Sequence, residues 1–291
     1  MNTTPYPFGK LPIDISTHGA GIDQLIVYIH IFMAVLFVGW GIYFLYCLIA
    51  FRERPNHTAQ LDEKHFSFPK YAEVGVVLVE VVLLVFFSSP VWGKYKNDFP
   101  DRKDALVVRI IAEQFAWNIH YPGKDGKFGK TLPEKMDGTN PTGLDRESEF
   151  GRDDIVMINN FVVPVNKPII VDLVAKDVIH SFFIPVARVK QDAVPGMEIP
   201  IHFQVKETGE FEIACAQLCG VGHYRMRGQF IVKSAEDYAA WMTEQEVELA
   251  KELGDAAPVA ETPTAKAVPT AKEAPAKTAP AAESHSEEEG N

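Results

Sequence analysis

Cysteine is scarce in this chain: three in 291 residues, at Cys47, Cys215 and Cys219. One close pair and one remote thiol make no disulfide framework. The haem c attachment pattern, two cysteines separated by two residues and followed by histidine, is absent, so no covalent haem is expected. Positive charge is also short, with 28 Lys and Arg against 39 Asp and Glu and a formal net charge of -11. Much of the acid lies after Gly209. An acidic outer domain argues against nucleic acid, since phosphate is held by lysine and arginine. It favours a basic protein partner steered in by charge. No internal repeat is present in the part expected to fold. The first apolar run has no basic start and no small-residue cleavage site, and it is too long for the core of a signal peptide.

Long apolar runs, by contrast, are present. Gln24 to Phe51 carries no charge until its end and exceeds the ~20 apolar residues that cross a bilayer. Val74 to Trp92 is a second span, broken by one acid, Glu80; a buried helix of a globular domain is the competing reading of it. Together they predict a transmembrane hairpin over 24–93, with helices at about 24–51 and 73–93 joined by a loop over 52–72. That loop carries Arg52, Arg54, Lys64 and Lys70, whereas the N-terminal segment, 1–23, carries only Lys10. The positive-inside rule then puts the loop in the cytoplasm and both chain ends outside. Trp40, Tyr43, Tyr46, Trp92 and Tyr95 fit aromatic belts at the membrane edges.

Residues 94–254 read as a second domain. From Asp104 to Val232 short β-rich runs alternate with turn signals such as Pro122-Gly123, Pro195-Gly196 and Thr208-Gly209. The first run extends from Ala105 to Tyr121 and the next from Asp154 to Pro164. Many short strands at this spacing predict an antiparallel sandwich or barrel. Lys124 to Arg152 is polar and rich in Gly and Pro, and reads as an exposed loop insertion. Ser234-Ala235-Glu236-Asp237 has the form of a capping box before a helix that runs to about Leu253, where Gly254 stops it. The tail over 255–291 is Ala, Pro, Lys and Glu, a composition that buries no core and is expected to be disordered.

The chemistry concentrates in Cys215-Ala216-Gln217-Leu218-Cys219-Gly220-Val221-Gly222-His223-Tyr224-Arg225-Met226. Two thiols, an imidazole and a thioether fall in one loop between two strands. Soft sulfur with imidazole selects copper, and a weak axial Met marks electron-transfer copper sites. His180, upstream in Asp177-Val178-Ile179-His180-Ser181-Phe182-Phe183, is placed to reach the same site across a sandwich. One copper needs one thiolate, so two cysteines with two histidines can bridge two coppers. Met226 can then cap one metal and the Gln217 carbonyl the other. Zinc on Cys215, Cys219, His223 and His180 competes, although the spacing differs from the usual zinc knuckle. So does a disulfide. A Cys-His nucleophile is a further alternative, for which no orienting Asn or Asp is evident.

The spacing Cys-x3-Cys-Gly-x2-His-x2-Met, the upstream Asp-Val-x-His-Ser-Phe, and Lys190-Gln191-Asp192-Ala193-Val194-Pro195-Gly196 resemble subunit II of the haem-copper oxidases, the cytochrome c oxidase family. The resemblance runs from the first apolar helix to about Trp241. It implies an all-β, cupredoxin-like Greek-key sandwich anchored by an N-terminal two-helix transmembrane hairpin. It further implies a dinuclear copper A centre held by His180, Cys215, Gln217 through its carbonyl, Cys219, His223 and Met226. The implied partners are oxidase subunit I, the other oxidase subunits and a cytochrome c-type electron donor. The implied place is a bacterial inner membrane, with the copper domain on the periplasmic or outer side.

Three departures from the family pattern matter. Gln217 stands where the family usually has Glu; the carbonyl role survives, while the Glu side chain's part in holding a magnesium ion against subunit I is weakened. Phe115 stands where the family has the Trp that takes up electrons, so Phe115 and Trp117 mark the expected electron-input region. Alternating strand core is the plain reading of Trp117. Glu80 replaces a Pro, and Glu73 matches the family's glutamate at the mouth of a proton channel. Seven residues apart, Glu73 and Glu80 share a helix face expected to meet subunit I. Surface Arg is the default reading of Arg188, Arg225 and Arg227, which flank the metal loop and are placed to meet subunit I. Two other functions compete with the respiratory one: a membrane-tethered copper-binding or delivery module, and a quinol-oxidase-type assembly subunit. The latter class lacks the copper ligands that this chain retains.

Overall fold

The computed structural model describes residues 3–6, 9–55 and 68–254. The tail expected to be disordered, 255–291, lies outside the described residues, as do residues 56–67 of the expected cytoplasmic loop. Two short strands, β1 (Thr3–Tyr6) and β2 (Gly9–Pro12), pair with each other. The next stretch is stitched into the outer domain. Ile15 is fully buried and donates its N–H to the Val186 carbonyl at 2.9 Å. Its own carbonyl accepts from Lys206 N–H at 2.8 Å, and Thr17 N–H donates to the Gln204 carbonyl at 3.0 Å.

Helix α1 spans Gly19–Ala50 and starts before the apolar run, because its cap sits before that run. Gly19 N–H donates to Ser16 Oγ at 2.8 Å, and Ser16 in turn donates to Asp14 Oδ1. The second span comprises α2 (Phe68–Val82), a π-helical segment (Leu83–Ser88) and α3 (Ser89–Asn97). It outlasts the predicted 73–93 at both ends. The π segment ends two residues before Pro90, whose missing N–H an unbroken α-helix would leave as a gap in its ladder. Ser89 Oγ–H donates to the Leu84 carbonyl there at 2.9 Å. Both spans are long and apolar enough to cross a bilayer, and they lay Phe37, Phe44, Leu84 and Phe86 open along their length. Such a surface is unfavourable in water and at home in lipid, so the hairpin anchors the chain in a membrane.

Ten further strands form the outer domain: β3 (Leu106–Glu113), β4 (Ala116–Tyr121), β5 (Ile155–Ile158), β6 (Asn160–Pro164), β7 (Pro168–Ala175), β8 (His180–Ile184), β9 (Val189–Ala193), β10 (Ile199–Gln204), β11 (Gly209–Cys215) and β12 (Arg227–Lys233). They make two five-stranded sheets, ordered β10-β7-β3-β4-β5 and β6-β12-β11-β8-β9. Inward side chains of both fill the space between them. Trp117, Tyr121, Phe161, Phe182 and Phe230 have no exposed surface. Trp117 meets Phe182 edge-on at 5.3 Å between ring centres, the geometry aromatic pairs prefer. Tyr121 crosses between sheets, its hydroxyl donating to the Val162 carbonyl at 3.0 Å and accepting from Val162 N–H at 2.8 Å.

The sandwich differs from the sequence expectation in three places. The run from Ala105 to Tyr121 is a hairpin, turning at Gln114 and Phe115, where an unbroken strand was predicted. The run from Asp154 to Pro164 breaks at Asn159, which adopts φ 60°, a left-handed conformation that Asn tolerates. Asn159 also accepts through Oδ1 from Trp117 N–H at 2.9 Å, so the chain changes sheets there. Because the chain crosses between sheets before pairing again, β3 with β7 and β6 with β12 run parallel, and the domain is not wholly antiparallel. Residues 124–152 were expected to be an exposed loop, but Thr142 and Leu144 are buried. Buried Asp154 gathers the Gly123 and Gly129 N–H groups and the His120 ring. The final helix α4 (Ala235–Glu252) is capped as predicted, Ser234 Oγ accepting from Asp237 N–H at 3.0 Å.

Candidate metal centre

The donors converge because three turns meet at one end of the sandwich. Cys215 ends β11 and Arg227 begins β12, so Ala216 to Met226 form the loop of a hairpin. Cys215 N–H closes its base on the Met226 carbonyl at 3.1 Å. His180 begins β8, which pairs with β11 at Phe182–Cys215. This register sets the imidazole beside the loop. Cys215 Sγ lies 3.8 Å from Cys219 Sγ and 4.0 Å from His180 Nδ1. Cys219 Sγ is 3.5 Å from His223 Nδ1 and 3.7 Å from Met226 Sδ, and His180 Nδ1 is 3.2 Å from Met226 Sδ. The Gln217 carbonyl sits 3.2 Å from Cys215 Sγ. All three cysteines are free thiols, so the pair is not a disulfide here. His180, Cys215 and Cys219 have ligand atoms mutually within 4.8 Å; His223 touches this group through Cys219.

The electrostatics of the two sulfurs differ. Burial pushes the Cys215 thiol up, but hydrogen bonds from His180, Ser181 N–H and the Gln217 backbone outweigh it and bring it down to about 6. Burial and the neighbouring Cys215 charge push Cys219 up to about 11. For His180, burial opposes the charged form, yet Cys215 and Asp177 raise it overall. Its Nε2 lies 2.8 Å from Asp177 Oδ1. A carboxylate on the far nitrogen leaves Nδ1 free to ligate, the arrangement metal-binding histidines favour. An orienting acid is therefore present, contrary to the reading of the sequence. Free thiols, an oriented imidazole, a second imidazole and a buried thioether fit copper by donor chemistry.

Two residues that hold this arrangement were not singled out from sequence. Gln114, at the β3–β4 turn, donates its backbone N–H to Asp177 Oδ2 at 2.7 Å and its amide N–H to the Cys219 carbonyl at 2.6 Å. One residue, through its backbone and its side chain, thus ties the His180 partner to the cysteine loop. Asp177 sits within a quoted motif and Gln114 directly precedes Phe115, but the two partners of Gln114 lie 63 and 105 residues away in sequence, beyond any local pattern. Phe115 lies against the loop's glycines: a Cβ at Gly222 would fall 2.4 Å from Phe115 Cδ2. Trp117 is wholly buried, with its ring 6.2 Å from that of His180. Around the loop Leu218, Val221 and Tyr224 are 79%, 93% and 80% exposed.

Other predicted residues lie apart from this centre. Glu73 and Glu80 are exposed on α2, and Glu73 precedes the end of α3 by roughly 35 Å of helix at 1.5 Å per residue. Arg188, read as a surface arginine facing a partner, instead pairs with Asp23 at 2.8 and 2.9 Å and donates to the Pro185 carbonyl at 2.7 Å. It is spent on joining the outer domain to the first turns of α1.

A sequence profile described as cytochrome c oxidase subunit II, periplasmic domain, matches residues 106–234. The chain is 32% identical over 232 residues to the alternative cytochrome c oxidase subunit 2 of Bradyrhizobium diazoefficiens, covering 79% of this chain and 82% of that protein. It is 30% identical over 231 residues to cytochrome c oxidase subunit 2 of Cereibacter sphaeroides, covering 74% of this chain and 73% of that protein. Among solved structures it is similar to the periplasmic domain of subunit II of cytochrome oxidase of Bradyrhizobium japonicum. Identity there is 31% and the TM-score 0.37, over 50% of this chain and 96% of that one.

Proposed function

Because this chain belongs to the cytochrome c oxidase subunit II family and so forms part of an oxidoreductase complex, we propose that it accepts electrons from a cytochrome c-type donor and passes them to haem in subunit I. There oxygen is reduced to water, coupled to proton translocation. The convergence of two free thiols, two imidazoles and a buried thioether on one loop carries this reading. His180, Cys215, the Gln217 carbonyl, Cys219, His223 and Met226 would hold two copper ions. Held there, two coppers would supply one-electron redox chemistry.

The chain's own residues do the rest. Asp177 fixes the His180 ring, and Gln114 fixes Asp177 and the loop together. Trp117 and Phe182 close the site from the core side and keep water out. On the outer side Phe115 lies over the loop and is the route by which electrons arrive. Exposed Leu218, Val221 and Tyr224 form an apolar rim for the donor, whose basic surface the acidic chain attracts. Glu73 takes up protons at the cytoplasmic start of α2, in a bacterial inner membrane. A magnesium ion at the subunit I contact belongs to the same reading, with the neutral Gln217 amide a weaker ligand than a carboxylate.

The test is rapid mixing of the copper-loaded chain with a reduced c-type cytochrome. Oxidation of the cytochrome is expected at a rate that falls steeply with salt, and Phe115→Ala is expected to slow it. No electron transfer at any ionic strength would leave copper delivery as the better reading. In the assembled oxidase, Glu73→Gln is expected to lower turnover increasingly as pH rises; unchanged turnover at every pH removes Glu73 from proton uptake.

A further inference from the structure

One covalent link joins the membrane hairpin to the outer domain, the short stretch from Asp98 to Ala105 between α3 and β3. Relative motion is the default for units joined by such a link. Here several contacts oppose it. Pro168, where β7 starts, shares a cavity wall with His18 and Tyr95 at the outer ends of the spans, whereas Ala175, where β7 ends, leads to Asp177 and the metal loop. The domain thus has a membrane end and an opposite metal end. At the membrane end His18, Tyr95 and His202 pack in one row, 5.4 and 6.0 Å between successive ring centres. The chain just before α1 adds a strap. Ser16 bridges to Val205 beyond β10, while Ile15 N–H donates to the Val186 carbonyl in the turn between β8 and β9. Those two partners follow strands of different sheets, so the strap closes this end of the sandwich.

The strongest tie is Arg188, in the turn between β8 and β9. Its side chain is only 9% exposed. A guanidinium has five N–H groups, and five hydrogen bonds leave this one. Nε and Nη2 fork onto the Asp23 carboxylate of α1 at 2.8 and 2.9 Å. The others go to the carbonyls of Pro12 at 2.8 Å, Ile13 at 3.3 Å and Pro185 at 2.7 Å. One residue thus grips the strap, the first turns of α1 and its own turn together. Asp23 directly precedes the apolar run that starts at Gln24, so the grip lies at the membrane edge. On β9, Gln191 Oε1 accepts from Lys96 Nζ of α3 at 2.5 Å. Both spans are therefore fastened to the β8–β9 hairpin. The same hairpin carries His180 at its far end, paired with Ala193.

We propose that Arg188 is a positioning residue for electron exit: by locking the β8–β9 hairpin to the two spans, it holds the metal centre at one distance from the electron acceptor in the membrane. This rests on the copper reading above. Electron transfer between two fixed centres falls steeply with their separation, so a swinging domain would spend most of its time out of range. A forked arginine–carboxylate pair sets direction as well as distance. Lysine, a point charge on a flexible stem, cannot reproduce the fork. A largely buried ion pair is weak evidence for stability, because its desolvation offsets much of its attraction. Its use here is the single geometry it imposes. Asp23 belongs to α1 and lies outside the sandwich, so replacing it leaves every residue of the outer domain in place.

The test times two steps separately in the assembled oxidase after photoinjection of one electron: arrival at the copper centre, then departure to haem. Arg188→Lys and Asp23→Asn are each expected to slow departure severalfold while arrival, copper content and the copper spectrum stay unchanged. A second measurement reads the geometry itself. In the copper-loaded full chain, a nitroxide on the free thiol of Cys47, near the end of α1 remote from Asp23, is expected to show one narrow distance to the copper centre. Both variants are expected to broaden it. In the copper-free chain, faster exchange of the Ile15 and Thr17 amides in both variants reads the same loosening without any metal, so failure of this proposal is distinct from failure of the copper reading. Departure at the unmodified rate in both variants overturns the proposal, and so does a distance that stays narrow or amide exchange that stays slow. Equal slowing of arrival and departure also overturns it, and makes Arg188 a stabiliser of the copper domain alone.

Discussion

The two ends of β7 treat histidine in opposite ways. At the metal end, His180 Nε2 is held by Asp177, which is held by Gln114, which also holds the Cys219 carbonyl. At the membrane end, His18 and His202 each present a buried nitrogen that nothing in the chain meets. A ring fixed by its own protein is prepared for a metal, because a ligand that need not reorganise binds more tightly. One end is thus braced by the chain's own hydrogen bonds, and the other leaves two buried ring nitrogens without them.

The comparison can be broken at the metal end first. Cys219→Ser removes one of the two sulfurs proposed to bridge the metals and is expected to abolish the proposed dinuclear centre, seen as loss of copper and of its visible absorption. Trp117→Ala comes next. It empties a fully buried indole site beside His180 and is expected to cost about 3–5 kcal/mol in denaturant unfolding. Asp177→Asn keeps the shape but loses the charge behind His180, and is expected to weaken copper affinity about 10–100-fold by competition with a chelator. The smallest effect is one of rate. In the copper-free chain Cys215 titrates near 6 and Cys219 near 11. At neutral pH Cys215 is therefore largely thiolate and Cys219 thiol, and alkylation followed by peptide mapping is expected to trap Cys215 first. Below pH 6 that preference is expected to fade as Cys215 gains its proton.

The contrast also explains what could be read from the sequence. The metal loop was readable because five of the six proposed ligands fall within twelve residues on one hairpin, and His180 stands in a motif of its own. The two spans were readable because lipid demands long uncharged runs. The capping box at Ser234 was equally local. What escaped was nonlocal or a matter of conformation. The turn at Gln114 and Phe115 is hidden inside a continuous β-rich run without Gly or Pro. The sheet change at Asn159 depends on one left-handed residue. Asp154 holds Gly129 of the 124–152 insertion, and Gly123 just before it, through backbone N–H groups, which composition does not reveal. Arg188 looks like any surface arginine until Asp23 is found beside it, 165 positions away. His18, Tyr95 and His202 carry no motif at all, and only the fold brings them together.

The most direct measurement is the metal content and thiol count of the full chain after copper loading. Two coppers per chain, with Cys215 and Cys219 both protected from alkylation and a spectrum showing one unpaired electron shared equally by both nuclei, is the predicted result. A single copper, zinc held in preference to copper, or the two cysteines recovered as a disulfide from the active oxidase would contradict it.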